Sequence, residues 1–173
     1  SLLLGSVYAA EMKTAASDWQ VSLGLDERFR HEYKSDFDLN ENLADHGSLF
    51  YNRVLLNVGA KFKDTYEVFL EGLDARVGSQ HLNKPAQKDE FDLHQAFIKG
   101  KLPGIPALTY KFGRQELTYG KGKLIAAPTW SNLLNAFDAV VVRYANKGFY
   151  GDAFSGYRVK YVEKKFNPGN VDE

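Results

Sequence analysis

The chain has 173 residues, 22 basic against 22 acidic, with 12 Phe, 10 Tyr, 2 Trp, one Met and no Cys. Its length allows a soluble domain with a sizeable core, but its neutrality gives no pull toward nucleic acid or an acidic membrane surface, and a chain without cysteine tolerates an oxidising periplasm. No stretch approaches the ~18 consecutive apolar residues of a spanning helix, a test that a membrane β-barrel escapes by hiding its hydrophobicity in every second residue.

Residues 1–10, SLLLGSVYAA, read as the remnant of a secretory signal peptide: Leu2-Leu3-Leu4 ends an apolar core, Val7-Tyr8-Ala9 suits cleavage, and Glu11 begins the polar chain. An ordinary N-terminal strand is the alternative. From there residues 11–173 read as part of one β domain. Over 19–33 one parity carries Trp19, Val21, Leu23, Leu25, Phe29 and Tyr33, and the other is polar, with Asp26, Arg28, Arg30 and Glu32. That is a period of two, sustained for longer than the ~5–6 residues of a usual globular strand.

The second strand, 49–63, sets Val54, Leu56, Val58, Ala60 and Phe62 against Arg53, Asn57, Gly59 and Lys61, with Leu55 the exception. After Lys63-Asp64 the third, 65–77, sets Tyr66, Val68 and Leu70 against Glu67, Phe69 and Glu71. The fourth, 91–101, has an unsettled phase, with Gln95, Lys99 and Lys101 sharing a parity. Residues 102–106 form a turn by composition. The fifth strand, 107–114, places Leu108, Tyr110 and Phe112 opposite Thr109, Lys111 and Gly113. Strict alternation from Lys111 turns Arg114 to the apolar side, so either a bulge re-aims it or it sits above the hydrocarbon. The sixth, 137–145, sets Val140, Val142 and Tyr144 against Arg143. The seventh, 156–166, sets Tyr157, Val159 and Tyr161 against Arg158 and Lys160.

The connections alternate as well. Those after strands two, four and six are short, whereas 35–47, 78–90 and 115–136 are long and polar. A soluble sandwich also alternates, but it seldom has strands this long with every long loop at one end. Long loops at one end and short turns at the other are the pattern of an outer-membrane barrel. The expected fold is therefore all-β: a transmembrane antiparallel β-barrel, of which these seven strands form an N-terminal fragment, an open curved sheet. Seven is too few for closure, and the polar ending from Asn167 to Glu173 reads as a truncation.

Residues 113–143 contain Gly113-Arg114-Gln115-Glu116-Leu117, Tyr119-Gly120, Trp130-Ser131-Asn132 and Phe137-Asp138-Ala139-Val140. In this spaced combination the sequence resembles the bacterial alginate export family of large outer-membrane barrels. Leu25–Tyr33 and Asp92-Leu93-His94-Gln95-Ala96-Phe97 extend the resemblance over roughly 19–166. One departure is Lys121 and Lys123, where relatives often carry arginine, so the charge is kept but not the bidentate grip. The resemblance implies a channel for an anionic polysaccharide such as alginate.

The face census adds a reading of its own. The polar parity carries Arg28, Arg30, Arg53, Lys61, Lys99, Lys111, Arg143, Arg158 and Lys160 against Asp26, Glu32, Glu67 and Glu71, with Arg114 a further candidate. Fixed cations in a narrow pore select anions, and guanidinium forks suit carboxylates; mutual pairing of these charges is the alternative. Loop 115–136 is expected to fold at the mouth or into the lumen as a gate.

Asp36–Asn42 fails as a calcium loop, with Glu41 at position six and Gly47 at position twelve. The histidines at 31, 46, 81 and 94 have no ligand spacing, and no nucleophile elbow, P-loop or dinucleotide fingerprint is present. Neither an enzyme nor a cofactor or metal is expected. The sequence points to a channel passing an anionic polysaccharide or other anionic solute by passive diffusion. The alternatives are an uptake porin for small organic anions and, from another class, a barrel enzyme or adhesive surface barrel. The expected partners are anionic polysaccharide or small anions, outer-membrane lipid and periplasmic export proteins, with no nucleic acid.

Overall fold

The computed structural model describes residues 2–4, 11–12, 18–35, 46–80 and 87–168. Its strands are β1 (Leu2–Leu4), β2 (Glu11–Met12), β3 (Trp19–Lys34), β4 (Gly47–Phe62), β5 (Tyr66–Gln80), β6 (Asp89–Leu102), β7 (Ile105–Gln115), β8 (Phe137–Asn146) and β9 (Phe149–Arg158). They form one antiparallel sheet in which each strand from β3 to β9 pairs with the next, and β1 and β2 lie along the free side of β3. The seven long strands of the sequence reading are thus present. The cleavage-like Val7–Ala9 and the acidic stretch 36–42 lie outside the described residues.

Alternation makes these strands, and turn chemistry sets their ends. Lys63 and Asp64 both take positive φ, 46° and 53°, as do Lys147 and Gly148 at 47° and 87°. This is the mirror-image turn whose twist matches that of flanking strands. Together with the turn at Gly104 they place all three short connections at one end of the sheet. Loop 116–136 and the links from β3 to β4 and from β5 to β6 leave from the other.

One face of the sheet is covered by loop 116–136, and the other is bare. In strict register, Val21, Ala60, Val68, Ile98, Phe112 and Val140 form an unbroken apolar row across six strands of the bare face. Toward the short turns the next outward row but one is aromatic: Trp19, Phe62, Tyr66 and Tyr110, with the two tyrosine rings closing over Gly100. Trp19 and Phe62 meet as tilted rings with centroids 5.1 Å apart, and Tyr144 lies beyond, beside Phe149. Toward the long loops the same face turns polar. Val54 lies between Glu27 and Asp74, Glu27 accepts from Asn52, and Asp74 pairs with Arg76 at 2.7 Å. An apolar band with an aromatic border suits a bilayer and its interface.

Three differences from the sequence reading have local causes. Strand β9 spans 149–158, not 156–166; its run Gly151, Asp152, Ser155, Gly156 looks like a loop, yet it pairs with β8 residue by residue. Arg158 therefore ends a strand, on the same face as Asp152 and Phe154, and Lys160 lies beyond the strand and outside any alternating parity, while Val159 turns in and is buried. The unsettled phase of β6 is a β-bulge, because Glu71 pairs with Gln95 but Gly72 with Leu93, leaving His94 extra. Leu55 is no exception to its parity: it packs with Leu73, Ala75 and Leu134, the core beneath the loop.

Candidate functional site: the loop-covered face

The motif GRQ…FDAV is a strand pair. Gly113, Arg114 and Gln115 face Ala139, Asp138 and Phe137 in register. Gly113 takes φ +118°, and a Cβ there would meet the Ala96 carbonyl at 2.3 Å, so only glycine fits. Arg114 holds both Asp138 oxygens, at 2.8 and 2.9 Å, and donates to the Leu93 carbonyl at 3.1 Å. No register shift re-aims it. It is buried in that local pair, apart from the other arginines. Gln115, fully buried, donates to the carbonyls of Gly113 and Ala139. These bonds fix both stems of the loop.

Between the stems the chain lies against the sheet. Tyr119 stacks on Phe154 at 4.8 Å, and the tip that follows exposes Lys121 and Lys123. On its return, Thr129, Trp130 and Ser131 cross to β3 and β4, where three arginines meet their backbone. Arg28 donates to the carbonyls of Thr129 and Ser131, Arg30 to that of Trp130, and Arg53 to Thr129 at 3.1 Å and Ser131 at 3.0 Å. Arg30 also pairs with Glu32 at 2.8 Å, and Asp26 lies 4.0 Å from Arg53. Next comes Asn132, fully buried, whose amide donates to the carbonyls of Arg76 at 3.2 Å and Gln87 at 3.0 Å. Leu134 then enters the core with Leu55 and Leu73. Each buried leucine contributes about 1.5–3 kcal/mol, so the return half of the loop is seated by packing as well as by polar bonds. The Trp-Ser-Asn motif is this crossing point.

Acids gather in the middle of the face. Glu71 accepts from Asn57 at 3.2 Å and Gln95 at 2.9 Å, and buried His94 contacts Glu116 and the Tyr161 hydroxyl, each at 2.8 Å. Burial pushes the Tyr161 hydroxyl upward from its ordinary pKa, with nearby Asp92 adding to the shift, so it stays protonated against His94 Nδ1.

Toward the short turns the balance is basic. Lys61, Glu67, Lys99 and Lys111 lie in one register row. They line adjoining grooves that also contain Lys101 and Arg143 and the acids Asp64, Glu116 and Asp152. Glu67 lies 3.5 Å from Lys99, Asp152 holds Arg143 through two 2.7 Å bonds, and the Lys111 ammonium sits 3.7 Å over the Phe97 ring.

The structure thus divides the predicted residues into sets. Arg28, Arg30 and Arg53 converge on the loop; Lys61, Glu67, Lys99, Lys111 and Arg143 line the grooves; Glu71 lies between them; Arg114 is sequestered. Arg158 is exposed and donates to Asn135 at 2.8 Å, and Lys160 is exposed beyond β9. Sequence reasoning missed Asp152 because β9 read as a loop, and Glu116 and His94 because a bulge and a stem hid their facing. These additions make the covered face less basic overall than the parity census, with its cations gathered in two places.

The family model for alginate export matches residues 19–172, almost the whole described chain. No curated protein and no solved structure matches it.

Proposed function

From the premise that this chain belongs to the alginate export family, outer-membrane β-barrels that act as polysaccharide export channels, we propose that its covered face lines a pore passing an anionic polysaccharide, or another anionic solute, by passive diffusion. The observation that carries the reading is the basic row in the open grooves: Lys61, Lys99, Lys101, Lys111 and Arg143 against Asp64, Glu67, Glu116 and Asp152. Four carboxylates against five cations leave a small positive surplus, concentrated along the Lys61, Lys99 and Lys111 row, in a confined space where fixed charge governs which ions enter. Binding rather than catalysis is the chemistry such a groove supports.

The test is anion-to-cation selectivity of the full-length protein in planar bilayers. Lys61→Gln combined with Lys111→Gln should move the reversal potential away from anion preference, and Glu67→Gln should move it the opposite way. Both shifts should shrink in concentrated salt, since the Debye length falls from about 10 Å at 0.1 M to about 3 Å at 1 M. Reversal potentials that ignored all three substitutions at low salt would remove the basic-pore reading.

A further inference from the structure

Of the three arginines converging on residues 129–131, Arg30 keeps a carboxylate partner in Glu32, whereas Arg28 and Arg53 direct their hydrogen bonds to neutral carbonyls, with Asp26 4.0 Å from Arg53. A guanidinium presents a planar fork suited to a carboxylate, and charge-assisted bonds of that kind are roughly twice as strong as neutral ones. Here Arg28 and Arg53 share the carbonyl oxygens of Thr129 and Ser131, while Arg30 takes that of Trp130. The Nε atoms of Arg28 and Arg53 are buried with no hydrogen-bond partner, and the Arg53 side chain is only 7% exposed. Unfilled, buried donors are costly. An oxyanion entering edge-on would fill them and replace a carbonyl at the same time.

We propose that the backbone of 129–131 is a self-supplied ligand occupying an anion site made by Arg28, Arg30 and Arg53, and that a carboxylate of the transported polyanion displaces it, releasing this stretch of the loop. The inference rests on the pore reading above and adds a regulation to it: the solute itself opens the latch. Asn132 and Leu134, anchored in the sheet and its core, act as the hinge, so the released segment stays attached beside the pore. A neutral sugar polymer carries no group able to outcompete a carbonyl for a guanidinium and leaves the latch shut.

Ser131 is buried under the latch, and this chain contains no cysteine, which makes Ser131→Cys a reporter. In the full-length protein in lipid vesicles, modification of that thiol by a water-soluble reagent is followed by mass spectrometry of the peptide carrying it. A short uronate oligomer should accelerate modification by at least about tenfold, equivalent to about 1.4 kcal/mol in favour of the open loop. A neutral oligomer of equal length should leave the rate unchanged. Arg28→Lys, which retains charge but loses the fork, should raise the rate without any ligand. A rate indifferent to the uronate oligomer, or raised equally by the neutral one, overturns the latch. Reversal potentials are read without the thiol, so the latch can fail while the pore reading stands, and the reverse.

Discussion

Val68→Arg is expected to lower the folding free energy in lipid vesicles by about 2–4 kcal/mol, the cost of a basic side chain at the bilayer midplane. Val68 is 51% exposed on the bare face, and every register neighbour along its row, from Val21 to Val140, is apolar. The same substitution at Val54 should cost no more than about 1 kcal/mol, as charged residues do near the interface. Val54 is also apolar and on the same strand face, but its neighbours in register are Glu27 and Asp74, which would welcome a cation. Reversible urea titrations of the two variants measure the difference. Equal costs would mean that the banding of this face does not follow the depth of the membrane.

Asp138→Asn should cost about 3 kcal/mol, the lower end of the range for breaking a buried ion pair from one side. Arg114 is 7% exposed, and the substitution removes the compensating charge and one of two acceptor oxygens, leaving its guanidinium with neutral acceptors, the new amide oxygen and the Leu93 carbonyl at 3.1 Å. Asp138 is 36% exposed, and water there softens the loss. Replacing both partners with apolar side chains, Arg114→Met with Asp138→Leu, should recover most of the stability, since no uncompensated charge then remains. A double-mutant cycle reads the coupling directly. A coupling under about 1 kcal/mol would reduce the pair to an ordinary surface bridge and leave the motif's Arg and Asp without their structural role.

Five of the seven long strands were legible because each alternates over eight residues or more, and a strong period of two survives errors at its ends; the fourth was placed between turn signals although its bulge unsettled the phase. The seventh was displaced because Val159-Lys160-Tyr161 alternates locally, whereas the true strand carries two glycines and a serine and is specified mainly by pairing with β8. Tertiary pairing overrode propensity there. At the site, the parity of Arg28, Arg30 and Arg53 could be read, since one face of a strand is a local property. Their partners could not. The acceptors are backbone carbonyls 76 to 103 residues away, and a carbonyl leaves no mark in the amino-acid alphabet. The side chains of Trp130, Ser131 and Asn132 marked the place, but only Asn132 acts there through its own side-chain amide.

That separation in sequence also orders assembly. From β3 to β9 every strand joins its immediate successor, so the sheet can grow hairpin by hairpin with short closures, and short closures cost little chain entropy. The contact between Arg28 and Thr129 spans 101 residues, and its cost falls to that of a short closure only after the strands between them have paired. The sheet should therefore be complete before the loop is seated, and the newly inserted channel begins its life unlatched. In refolding followed by pulsed hydrogen exchange, amides in the middle of β4 and β5 should gain protection before the amide of Asn132.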